Sequence, residues 1–324
     1  MIDTSELVRK LRDAGAIRIA LQFPEGLKRK ALGVASDLRE AGFFVIISGD
    51  PCYGACDLAT GLLGMADLVI HFGHSPLDDT PAIIYDPYRM DFDPEVLGLV
   101  IPHLVSNDIG LVTTVQHTHM VPAITEYLAS RGITCHTADG GPRALNRGQV
   151  LGCSYGAARK CNKKEILFVG TGQFHPLGVQ LATGARVVAL DPYCRTVEVV
   201  STDRFLRRRF ALVEVAKNAG SFGIILTLKS GQQRLQLAER LAMMRNDAFI
   251  VAMHEVSPDE LLNLGFSCYV NTACPRLAYD DQERFSVPVI SPQEFEIVCG
   301  LRTFEDYQID EITRNETAPA RDTP

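Results

Sequence analysis

Short apolar runs recur along the chain, each ending in a turn rich in glycine, proline, histidine or cysteine and each followed by an amphipathic stretch. Runs at residues 17–23, 43–48, 68–74 and 82–85 read as buried strands, and helical spacing at 5–14, 27–41 and 57–65 alternates with them. Strands separated by helices are joined by crossovers, so the pattern predicts an α/β fold with parallel sheets. The alternation restarts with strands at 109–115, 133–137, 165–170 and 185–190. It restarts again after a helix at 203–218, with strands at 222–228, 248–253 and 268–271. Three rounds of one pattern predict three similar α/β domains, at 1–105, 106–201 and 202–324, the last ending in a disordered tail after Glu311 where apolar residues run out.

Each round carries one cysteine in a turn: Tyr53-Gly54-Ala55-Cys56-Asp57, Leu151-Gly152-Cys153-Ser154 and Thr272-Ala273-Cys274-Pro275. In open α/β sheets ligands bind outside the strand ends, and helix N–H groups there favour a thiolate. We read the three turns as lending one cysteine each to a common centre. Their separations of 97 and 121 residues are far from the local spacing of structural zinc sites, and spacing alone does not tell such a set from three unrelated turn cysteines. If they meet, three thiolates are one short of the four that close a four-iron cluster, and one iron is open to substrate. Cys52 competes with Cys56 for the first place; Gly54-Ala55 favours Cys56, because glycine allows close backbone approach, as Gly152 does before Cys153.

Composition narrows the classes. A net charge of −7 is not the footprint of a nucleic-acid binder. Nine cysteines, an odd and dispersed set, argue against a disulfide framework; Cys135, Cys268 and Cys299 read as small buried side chains, while Cys161 and Cys194 stay open. No stretch at the start has the pattern of a signal peptide, and the longest uncharged run, 166–185, is a poor membrane span, so the expectation is a soluble cytoplasmic protein. His71, His74, His117, His119 and His175 lie at or near strand ends, each alone reading as a hydrogen-bonded turn residue. Gly170-Thr171-Gly172-Gln173 lacks the glycine spacing of a dinucleotide loop and the Gly-Lys-Ser/Thr of a triphosphate loop; it reads as a plain turn or as a loop holding a carboxylate or ribose. Asp280, Asp281, Glu283 and Arg284, and the run Arg207-Arg208-Arg209, read as solvated charge.

Seven stretches together resemble the archaeal diphthamide-synthesis enzymes, the 2-(3-amino-3-carboxypropyl)histidine synthases. They are Leu21-Gln22-Phe23-Pro24-Glu25-Gly26-Leu27, the turn at Cys56, His71-Phe72-Gly73-His74-Ser75, Phe168-Val169-Gly170-Thr171-Gly172, Phe174-His175-Pro176-Leu177-Gly178, residues 204–210 and the turn at Cys274. The likeness runs from about Leu21 to Gly300. It implies a homodimer of subunits with three Rossmann-like βαβ domains in pseudo-threefold arrangement, and a 4Fe-4S cluster held by Cys56, Cys153 and Cys274. It implies that S-adenosylmethionine meets the open iron and that an electron from the reduced cluster, itself fed by an electron donor, breaks the bond to the γ-carbon. The 3-amino-3-carboxypropyl radical then adds to C2 of a histidine imidazole on translation elongation factor 2, the first step of diphthamide formation. From their places at strand ends, Gln22, His74, Gly172, Gln173 and His175 are the expected S-adenosylmethionine contacts.

Two other readings use the same residues. A quinolinate-synthase-like dehydratase also joins three domains around a cluster, its open iron acting on a small dicarboxylate. A metal-bearing interaction module would need no catalysis at all.

Overall fold

The computed structural model describes residues 2–77 and 80–313. By their contacts the residues fall into two compact units, one running to Asp91 and including Val115–His119, the other comprising Phe92–Thr114 and the residues from Met120 onward.

In the first unit, α1 (Ser5–Asp13) leads into β1 (Arg18–Gln22), α2 (Ala31–Glu40), β2 (Phe44–Ile47), β3 (Leu68–Phe72) and β4 (Ile83–Asp86). The sheet order is β2-β1-β3-β4, every neighbouring pair parallel, as the alternation predicts. Leu7 and Leu11 of α1 and Val34, Ala35 and Leu38 of α2 lie four or fewer positions apart and cover one face of the sheet over Ile19, Leu21, Ile70 and Phe72. One element departs from the sequence reading. The helix expected at 57–65 is only a 3₁₀ turn at Thr60–Gly64, none of whose residues is buried. Gly61 and Gly64 each disfavour an α-helix by about 1 kcal/mol, and Leu58, Leu62 and Leu63 are only partly buried against Ala66 and Val69, too little to offset that.

The second unit contains two sheets. β5 (Asp108–Thr113), α3 (Val121–Ala129), β6 (Thr134–His136), α4 (Gly156–Cys161), β7 (Glu165–Val169), α5 (Phe174–Thr183), β8 (Arg186–Asp191) and β9 (Thr196–Val199) build the order β6-β5-β7-β8-β9. Its edge strand β9 runs antiparallel to β8, against the all-parallel expectation. The cause is local: Asp191 Oδ1 accepts from the N–H groups of Tyr193 and Cys194, and Arg195 takes φ +54, which turns the chain straight back. The third sheet follows from α6 (Asp203–Ala216), β10 (Phe222–Thr227), α7 (Leu235–Ala242), β11 (Ala248–Met253), α8 (Pro258–Leu264), β12 (Cys268–Asn271), α9 (Arg276–Tyr279), β13 (Val289–Ile290) and α10 (Pro292–Val298). Its order is β11-β10-β12-β13, all parallel. Ser257 and Ser291 accept from backbone N–H groups at the starts of α8 and α10, the latter within a full capping box.

Two sequence readings change here. Arg209 is not on the solvent side of α6 with Arg207 and Arg208; it is buried, pairing with Glu294 and donating to the carbonyls of Ala278 (2.6 Å) and Val289 (3.1 Å). The chain also keeps an apolar anchor past Glu311, where the tail was expected to begin, since Ile312 is buried. The rest of the tail assigned to disorder, 314–324, lies outside the described residues.

Candidate functional site

In the first unit the end of β1 is tied to the Cys56 turn by one side chain. Gln22 is buried, donates through Nε2 to the Asp57 carbonyl at 2.7 Å and accepts through Oε1 from the Ala59 N–H at 3.0 Å. The same oxygen lies 2.8 Å from His71 Nδ1, and His71 Nε2 lies 2.9 Å from His74 Nδ1. Burial, and then the neighbouring His74, push His71 down to about 3; burial pushes His74 down to about 4 against the favourable Phe72 carbonyl. Both rings are therefore neutral at pH 7. Buried Cys52 joins them: its sulfur and one nitrogen of each ring lie within 4.8 Å of one another. Cys56 itself is half-buried, and a Cβ at Gly54 would stand 3.1 Å from its Sγ. The sequence placed Cys52, His71 and His74 separately; that strands β1 and β3 are neighbours, with Gln22 opposite His71, is what brings Gln22 and the two rings together.

In the second unit the turns of Cys153 and Cys274 are neighbours. A Cβ at Gly152 would stand 3.7 Å from Arg276 Cδ, an ordinary contact with the second turn, and only 2.6 Å from the Phe174 ring, so glycine is what fits against Phe174. Burial pushes the Cys153 thiol up, while the guanidiniums of Arg143, which hydrogen-bonds the sulfur, and of Arg234 pull it down. Arg143 is buried, donates through Nη2 to the Gly231 carbonyl at 2.9 Å, and has no hydrogen-bond partner at Nε among the described residues. Arg234 is buried beside it, donating through Nε to the Thr272 carbonyl at 2.8 Å and holding Asp310 through both terminal nitrogens at 3.0 and 2.6 Å. The chain end closes over this group: the Ile312 N–H donates to the Cys153 carbonyl at 2.9 Å. Asn271 fixes the other turn, donating through Nδ2 to the Cys274 carbonyl at 2.8 Å. None of Arg143, Arg234 and Asp310 is marked in the sequence, because a buried ion pair reads there as surface charge.

The remaining expected contacts lie at the end of β7 in the same unit. Gly172 takes φ +80 with open space where a Cβ would be, and exposed Gln173 turns its Nε2 to Glu198. His175 stacks on Phe168, ring centroids 6.1 Å apart, and burial followed by Arg276 pushes it down to about 4. His117 and His119 have different partners, the Met90 carbonyl at 3.0 Å and Asp91 at 2.7 Å. Of the cysteines away from these turns, burial pushes Cys268 up to about 12 and Cys135 to about 11, the state of inert packing thiols. All nine cysteines are free of disulfides, and among the described residues no helix is long and apolar enough to cross a membrane.

Comparison with known proteins places this geometry. The chain is 38% identical to the 2-(3-amino-3-carboxypropyl)histidine synthase of Pyrococcus horikoshii, over 96% of its own length and 93% of the relative's. It is 29% identical to subunit 1 of the Gallus gallus synthase, over 97% of this chain and 83% of that one. Its fold matches the crystal structure of Dph2 from Pyrococcus horikoshii with a 4Fe-4S cluster at a TM-score of 0.90 and 36% identity, covering 96% of this chain and 94% of the other. A family model for diphthamide synthesis proteins matches residues 23–308, and the chain belongs to that family.

Proposed function

We propose that the chain is a transferase catalysing the first step of diphthamide biosynthesis, moving the 3-amino-3-carboxypropyl group of S-adenosylmethionine to C2 of a histidine imidazole in translation elongation factor 2. The observation that carries this reading is the near full-length likeness to the Pyrococcus horikoshii synthase. We place the reaction in the cytoplasm, on a homodimer served by an electron donor, and keep the division into domains 1–105, 106–201 and 202–324.

A 4Fe-4S cluster on Cys56, Cys153 and Cys274 suits the residues present. Gly54 leaves space against the Cys56 sulfur, and Gly152, next to Cys153, lets its turn pack directly on the Phe174 ring. Arg143, with its buried and unpartnered Nε, supplies positive charge and a donor at the Cys153 sulfur, as a thiolate ligand requires. When bound, a reduced cluster supplies one electron to the sulfonium, releasing methylthioadenosine and the 3-amino-3-carboxypropyl radical. The chain's own residues bind, orient and exclude water. Gln22 fastens the strand end to the Cys56 turn, Arg234 fastens the loop before Cys274, and His74, Gly172, Gln173 and His175 are proposed to line the S-adenosylmethionine site.

The test is anaerobic incubation with dithionite and S-adenosylmethionine labelled in the carboxyl carbon. Label should pass to elongation factor 2 and fail to pass when its target histidine is replaced. Quinolinate formation without methylthioadenosine release would support the dehydratase and overturn this reading.

A further inference from the structure

The Gln22 amide can adopt only one orientation, since its Nε2 faces a backbone carbonyl, Asp57, and its Oε1 faces a backbone N–H, Ala59. Backbone groups have fixed polarity, so turning the amide over would set donor against donor and acceptor against acceptor. Oε1 therefore presents a lone pair to His71 Nδ1 at 2.8 Å, a contact that is favourable only if Nδ1 carries a proton. A neutral imidazole protonated at Nδ1 has a bare Nε2. That nitrogen faces His74 Nδ1 at 2.9 Å, so the proton in this contact belongs to His74. With His74 also neutral, its Nε2 is bare in turn. One amide thus dictates, through two rings, which nitrogen of a half-buried histidine is an acceptor.

We propose that Gln22 and His71 are positioning residues that hold His74 in its Nδ1–H form, so that His74 Nε2 accepts a hydrogen bond from the α-ammonium of S-adenosylmethionine. The choice of ammonium rests on the proposed function together with the chemistry of the acceptor. A bare, neutral ring nitrogen needs a donor, and a cationic N–H makes the strongest such bond. His74 as a free side chain could switch tautomer or rotate; here a rotation would leave His71 Nε2 without its donor, and a switch would set a bare His71 Nδ1 against Gln22 Oε1. The nearby Cys52 offers a competing arrangement, in which the sulfur and one nitrogen of each ring bind a divalent metal. Cobalt(II) binding that depends on Cys52 tells that arrangement from the relay.

Long-range proton–nitrogen correlation spectra of the ¹⁵N-labelled, full-length apoprotein at pH 7 read the tautomers directly. Both His71 and His74 should show a protonated Nδ1 and a bare Nε2; an Nε2–H signal from either overturns the relay. Cobalt(II) added to the same protein should give no d–d absorption that is lost in Cys52→Ser; such bands would establish the metal reading instead. Calorimetric titration with S-adenosylmethionine then tests the acceptor: His74→Phe and Gln22→Leu should each weaken binding by roughly 10-fold or more. Unchanged affinity in His74→Phe, with the unaltered protein binding normally, overturns this inference alone. Failure of the unaltered protein to bind S-adenosylmethionine overturns the acceptor role and the proposed function together, while tautomer spectra still report on the relay.

Discussion

Around the Cys56 turn the polar groups are neutral, an amide and two imidazoles joined end to end by hydrogen bonds of 2.8 and 2.9 Å. Around the Cys153 turn they are charged, the buried guanidiniums of Arg143 and Arg234, the latter paired with Asp310. Neutral groups in a chain of directional bonds fix where atoms point and which of them hold protons, at little cost in burial. Buried cations fix the charge of what sits beside them, and they do so at a desolvation cost that must be met by full pairing. One turn is thus built to orient, and the other sets two cations against the burial that on balance still raises the Cys153 thiol.

The largest test of that contrast is the sulfur itself. Cys56→Ala, Cys153→Ala and Cys274→Ala should each bring iron after anaerobic reconstitution down to the level of protein given none, whereas Cys52→Ala should retain iron and the broad visible band. Iron loss from Cys52→Ala with retention in Cys56→Ala would exchange their roles.

Next in size is the ion pair. Arg234→Leu leaves Asp310 buried without its guanidinium and should cost about 3–5 kcal/mol in urea unfolding, while adding Asp310→Leu should recover much of the loss. Gln22→Leu, in the neutral turn, should cost only about 1–3 kcal/mol for the same measurement. Equal losses in the two would erase the distinction.

A smaller effect comes from pH. His71, His74 and His175 have folded-state values below the ordinary 6.5, so between those values the unfolded chain binds more protons. Their contribution to stability is fully present above pH 6.5 and is lost as pH falls through that value toward about 4. The urea midpoint of the apoprotein should fall over this window, and less steeply in His175→Leu. Smallest of all, Arg143→Met should move the alkylation profile of Cys153 in the apoprotein to higher pH, since burial would then act with one opposing cation fewer.

Much of this was legible before any coordinates. The parallel strands announce themselves as apolar runs because both faces are covered, as at Ile166-Leu167-Phe168-Val169, and their ends carry the cysteines and histidines. The segment 57–65 reads as a helix from its leucine spacing, but Leu58, Leu62 and Leu63 are only partly buried and Gly61 and Gly64 interrupt it, so one 3₁₀ turn forms. Arg209 and Arg234 were illegible for a related reason: nothing local to a guanidinium tells whether a carboxylate 85 or 76 residues further on will meet it. The Cys52, His71 and His74 group lay in view as separate residues, but strand register, not spacing, joins the two rings to Gln22.

The bond from Ile312 N–H to the Cys153 carbonyl, and that from the Tyr155 N–H to Glu311 across 156 residues, have a bearing on synthesis. A ribosome making this chain delivers Cys153 well before the segment that bonds its carbonyl. Nascent chains halted before Asp310 should therefore bind iron poorly however well their sheets have formed.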